Sequence, residues 1–116
     1  MDEPESRDFA VRLVARFLSL CESPRTRDRM VRLVEGSTGS ARTGRVLYRM
    51  VNRTVVNPVA RATGVHASAT RLELVASQLI GLAMLRYVLE VEPVASAPRE
   101  EVVRLAAPGI RAVLQA

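Results

Sequence analysis

Between Leu74 and Leu85 the chain reads LVASQLIGLAML, and its only polar side chains are Ser77 and Gln78. A helix built on this run has no broad side suited to water. It cannot span a membrane, because a span needs about 20 predominantly apolar residues. Here Arg71 and Glu73 close one end, and Arg86, Glu90 and Glu92 close the other. The helix must therefore be buried in protein, partly by the rest of its own chain and partly by a second one.

The remaining periodicity is also helical, with no alternating stretch long enough to compete. In DFAVRLVARFLSLC, residues Phe9, Leu13, Val14, Phe17, Leu18 and Cys21 share one side, and Asp8, Arg12, Arg16 and Ser19 the other. A second helix is expected from Pro24 with Ser23 as its cap, carrying Met30, Val31, Leu33 and Val34 inward, before the flexible connector GSTGSA. A third starts near Ala41 and ends at Gly64, and Pro58 forces a kink or a restart because it cannot donate to the Thr54 carbonyl. The fourth runs from between Ala67 and Thr70 to about Val91. The fifth starts near Pro98 and is interrupted at Pro108-Gly109. The expected fold is all-α: a five-helix orthogonal or bundle domain.

The 116 residues fit one domain, 1–116, with 48% apolar and only 3% aromatic side chains. Its core must therefore be built from Leu, Val, Ala, Ile and Met. All 17 basic residues are Arg, and the net charge of +5 is mild support for an anionic partner. A single cysteine excludes an internal disulfide and fits a reducing, cytoplasmic setting. The acidic start MDEPESRDF is unlike a secretory signal.

On a helical wheel the fourth helix offers two apolar sets. Leu74, Val75, Leu82, Leu85 and Leu89 are expected to face their own chain. Ala76, Ser77, Ile80, Gly81, Met84 and Val88 include small residues four apart, which let a second helix approach closely. On the fifth helix Val103, Ile110, Val113 and Leu114 add to this surplus apolar surface. The pattern predicts a homodimer through the last two helices, with Ala76, Ser77, Ile80, Gly81, Val88, Val103, Ile110, Val113 and Leu114 as its candidate interface.

The segment VASQLIGLAMLRYVLEVEPVASAPREEVVRLAAPGIRAVL, Val75 to Leu114, resembles the last two helices of the C-terminal domain of tetracycline-repressor (TetR) family regulators. The matching residues are Ala76, Ser77, Gln78, Leu79, Gly81, Leu82, Arg86, Tyr87, Val88, Leu89, Glu92, Pro93 and Pro108. FLSLCESPRTRDRMVRLV and VVNPVARATG look like earlier parts of the same domain, although Cys21 stands where that branch often has Trp. The resemblance implies an effector-binding and dimerisation domain of a transcriptional repressor. In such regulators the last two helices form a four-helix bundle with their mates, and a small effector in a cavity of the earlier helices controls DNA release. The three-helix DNA-binding domain of that family is not found in this sequence. DNA contact is therefore expected only through a domain outside it, the chain being either a piece of a longer repressor or a free-standing domain.

The expected effector is a small hydrophobic molecule. Phe17, Cys21, Met30, Tyr48, Met50, Gln78, Met84 and Tyr87 combine adaptable apolar surface with a few hydrogen-bonding groups, as small-molecule sites require. The expected cavity opens between the second and third helices, with GSTGSA as its gate. The competing expectation is that these Met and Phe residues fill solid core. The domain would then be a helical protein–protein pairing module without a ligand. Two Arg stripes, Arg25/Arg29/Arg32 and Arg42/Arg45/Arg49/Arg53, read as solvated helix faces rather than a phosphate-binding surface. His66 and Cys21 stand alone, so no zinc ligand set is visible, no cofactor is expected, and no nucleophile–base pair points to an enzyme.

Overall fold

The computed structural model describes residues 4–116, and the acidic start Met1–Glu3 lies outside the described residues. Five helices carry the fold, and no strand occurs among the described residues. They are α1 (Pro4–Glu22), α2 (Arg27–Ser37), α3, α4 and α5 (Arg99–Gln115). Helix α3 comprises Ala41–Val51, a π-helical stretch Asn52–Val56 and a last piece Asn57–Thr63; α4 comprises Ala69–Ala83 and a π-helical end Met84–Val88.

Helix α1 is the centre of the domain. Phe9, Ala10, Leu13, Val14, Phe17, Leu18 and Cys21 are all buried, two adjacent stripes at helical spacing. One helix face can therefore meet several neighbours, and α1 packs against α5, the end of α3 and α2. Helix α2 pairs with α3 and touches the π-helical end of α4.

The local details differ from expectation where polar groups settle the backbone. Ser23 caps a single turn, its Oγ accepting from the Arg25 amide at 3.3 Å, and α2 starts only at Arg27. GSTGSA is a hydrogen-bonded turn between two helix ends rather than a slack connector: Ser37 and Thr38 donate back to the Val34 and Glu35 carbonyls, and Ser40 caps α3 by accepting from the Thr43 amide at 3.2 Å. Pro58 neither breaks nor restarts α3. The widened turn Asn52–Val56 leads into it, and the Thr54 carbonyl accepts instead from Arg16 Nε at 2.9 Å. Gly64, at φ 74°, ends the helix in the left-handed region.

Helix α4 stops at Val88 rather than Val91, and Glu90 takes a left-handed φ of 51°. The Val91 amide donates back to the Leu85 carbonyl at 2.9 Å, closing the helix end. Helix α5 runs unbroken through Pro108, which lies on its exposed side. There the ring meets water rather than core, and the helix is held on its other side by buried Val102, Ala107, Ile110 and Leu114.

Candidate functional site

The wheel assignment of α4 is partly reversed. Its inward stripe is Val75, Ala76, Leu79 and Ala83, all buried. Two alanines one heptad apart let α4 lie close to its own chain, and of its leucines Leu79 turns inward and Leu82 is half-buried. Leu74 and Leu85 are exposed, and so is Leu89 just beyond the helix. Of the candidate interface, Ser77 and Gly81 lie on the exposed side, and Ile80, Val88, Val103 and Val113 are half-buried. Ala76, Ile110 and Leu114 are packed into the chain's own core, which removes them from any outer face. Leu105, 62% exposed, is an outward residue of α5 that the wheel did not single out.

Gly81 and Gly109 have different surroundings. A Cβ added to Gly81 would meet nothing within 4 Å, so the chain itself does not require glycine there. At Gly109 a Cβ would lie 2.9 Å from Gln78 Oε1, and Gln78 Nε2 donates to the Gly109 carbonyl at 3.2 Å. Gln78 thus ties α4 to α5 and is exposed, away from the core residues with which it was grouped.

The other candidate pocket residues are also dispersed. Phe17, Cys21 and Met30 are completely enclosed in the core. Met30 and Met50 border a dent of about 160 Å³ between α2 and α3, flanked by Arg29 and Arg53. That lies below the roughly 300–1,000 Å³ of typical small-molecule sites. Tyr48 and Met84 are half-buried. Tyr87 lines a polar cleft of about 420 Å³ beside Glu22, Arg27 and Glu90. Asn52 Oδ1, in the π-helical turn of α3, is a buried acceptor without a donor among the described residues. It is the kind of group a ligand N–H or O–H can satisfy.

A polar junction joins three helix ends. Glu22, closing α1, accepts from the Tyr87 hydroxyl, lies 3.5 Å from Arg86 and pairs with Arg99 at 3.8 Å. Arg86, whose side chain is only 9% exposed, also donates to the Val94 and Ala97 carbonyls at 2.8 and 2.9 Å. It thereby folds the connection after α4 back against the domain. Arg99 donates to the Ala15 carbonyl and the Ser19 hydroxyl. Burial first, then the bond to Glu22, raises the Tyr87 hydroxyl above the ordinary phenol range. Burial likewise pushes the Cys21 thiol up to about 12, with Glu22 adding to it, so Cys21 is a protonated core thiol at neutral pH.

The folded-back connection creates the largest of these recesses, a groove of about 710 Å³ between it and the first half of α5. Leu82, Val102 and Ala106 are on the helix side and Val91, Val94 and Ala97 on the connection side. Pattern reading missed it because the apolar residues of EPVASAP have no helical or strand period. The two prolines bracketing the segment, Pro93 and Pro98, were the only available signal.

These features define an all-helical domain with an apolar outer face. Among the described residues no group of three or more His, Cys, Asp or Glu could hold a metal ion, and no helix is long and apolar enough to cross a membrane. A family model described as "Tetracyclin repressor-like, C-terminal domain" matches residues 8–114. The chain belongs to that family, a family of regulatory rather than typically catalytic domains. No curated protein and no solved structure gives a significant match.

Proposed function

We propose that residues 1–116 are the effector-binding and dimerisation domain of a TetR-like transcriptional repressor, acting in the cytoplasm. A small molecule bound here would be coupled to DNA release by a DNA-binding domain outside this sequence. The observation that carries the proposal is the distribution of exposed apolar surface. Of seven large exposed hydrophobic residues among those described, Leu74, Leu85, Leu89, Val91 and Leu105 belong to α4, α5 or the connection between them. Apolar surface concentrated on α4, α5 and their connection, with only Val11 and Val46 elsewhere, supports pairing with the same face of a second copy.

Sedimentation of the unmodified chain over a micromolar concentration range tests the pairing, and a thermal-shift screen with small apolar compounds tests effector binding. A dimer that some compounds stabilise is expected. A dimer that none stabilises would favour a pairing module without a ligand, and a monomer at all concentrations would overturn the dimer assignment.

A further inference from the structure

We propose that the α2–α3 face binds an acidic peptide segment, with one apolar side chain of that segment seated in the dent between Arg29 and Arg53. Such docking requires neither an effector nor a second copy of the chain, and none of the residues involved lies on the exposed apolar face of α4 and α5.

The net charge is unevenly spread. Residues 25–61 hold nine arginines against two carboxylates, Asp28 and Glu35, a balance of +7. The rest of the chain therefore carries −2 of the total +5. From Gly36 to Leu72 there is no carboxylate at all. The two Arg stripes read separately as solvated faces, but α2 packs on α3, and Arg29 and Arg53 border one dent. All seven arginines of the stripes are exposed, and none has a side-chain hydrogen bond or ion pair among the described residues. They differ in this from Arg16, Arg86 and Arg99, whose guanidiniums bind main-chain oxygens.

The dent between the stripes is apolar. Leu20, Met30 and Met50 line it. Its two hydroxyls are engaged, Thr26 donating to the Leu20 carbonyl and Thr54 to the Met50 carbonyl at 2.6 Å. At about 160 Å³ it is too small for a typical organic effector but has room for one aliphatic side chain. An apolar pocket rimmed by unpaired guanidiniums matches a partner that brings both carboxylates and a hydrophobic anchor. Guanidinium forks bind phosphates as well as carboxylates, so charge alone would also admit nucleic acid. Phosphates leave the dent unused, however, and no exposed ring is present to stack a base: Phe9 and Phe17 are buried, and Tyr48 and Tyr87 are half-buried.

Fluorescence anisotropy with labelled peptides of about twelve residues tests this on the intact chain. The probes are an all-glutamate peptide, the same peptide with one central leucine, and an oligothymidylate of equal charge. The leucine peptide should bind about fivefold or more tightly than the all-glutamate one, and more tightly than the oligothymidylate, with affinity falling as salt is raised. Arg53→Glu should weaken its binding roughly tenfold. Arg104→Glu makes the same charge change at an exposed position of α5 and should weaken it less than about twofold. A leucine peptide no better than the all-glutamate one, tighter binding of the oligothymidylate, equal effects of the two substitutions, or no binding of any peptide would overturn the proposal.

Discussion

Arg16 and Thr54 are joined by a bond that a proline makes necessary. Pro58 has no N–H to offer the carbonyl four residues before it, and Arg16 Nε reaches across from α1 to that oxygen at 2.9 Å. The irregular turn of α3 is thus held by the central helix.

Replacing Arg16 with Met should cost about 1 kcal/mol of stability in urea denaturation. Pro58→Ala restores an intrahelical donor, so the cost of losing Arg16 should fall in that background. Strict additivity in the four-member cycle would show that the two residues do not share the Thr54 carbonyl.

Gly81 tests the proposed pairing apart from the fold. With no atom within 4 Å of the methyl that alanine would add, Gly81→Ala should stabilise an isolated chain by roughly 0.5–1 kcal/mol through helix propensity. Gly81→Arg should leave the helical circular dichroism unchanged and shift sedimentation towards monomer. An unaltered dimer in Gly81→Arg would move the seam away from this side of α4.

Glu90 occupies a left-handed conformation, φ 51°, that an L-residue adopts at a cost. Glu90→Gly should relieve it and raise stability by about 0.5–1 kcal/mol, measured by chemical denaturation. A loss of stability would mean that its side chain contributes more than the backbone costs.

Cys21 gives a pH prediction with a definite sign. Its thiol is held at about 12 when folded, chiefly by burial, against about 8.5 in an unfolded chain. Its contribution is complete below the lower value and is lost as pH rises towards the higher one. Between them the unfolded chain has released a proton that the folded chain keeps, and stability falls by up to about 1.4 kcal/mol per pH unit. Tyr87 acts in the same direction at still higher pH. Cys21→Ala should be less stable at neutral pH but show a shallower decline between about pH 9 and 10, where Tyr87 contributes little.

Asn52 tests whether an orphaned acceptor has a use. Asn52→Leu removes the unpartnered buried Oδ1 while keeping the branched heavy-atom shape and should stabilise the chain by roughly 1 kcal/mol. If a compound found by thermal shift loses its effect in this variant, that oxygen belongs to the compound's site.

The central helix was legible in the sequence because Phe9, Leu13, Val14, Phe17, Leu18 and Cys21 repeat at helical spacing against polar neighbours. The two sides of α4 were not, because both are apolar. Choosing between Leu74 and Ala76 requires knowing how closely α1 approaches, which no periodicity encodes. The irregularity near Pro58 was visible, but the π-helical turn depends on a donor 38 residues earlier. The groove was hidden for a similar reason: Arg86, eight and eleven residues from the carbonyls it holds, bends an aperiodic segment into a wall.

Arg16, Arg86 and Arg99 each donate to main-chain oxygens of another element or of a connection, at Thr54, at Val94 and Ala97, and at Ala15. A guanidinium keeps its proton throughout the accessible pH range, and a carbonyl has none to gain. These tethers therefore do not dissolve in acid as carboxylate pairs do. Arg86 serves both carbonyls with Nη1, Glu22 with Nη2 at 3.5 Å and the Tyr87 hydroxyl with Nε at 3.3 Å, a spread of donors that the single ammonium of lysine could not reproduce. Part of what a charge count records as electrostatic surface is, in this chain, architecture.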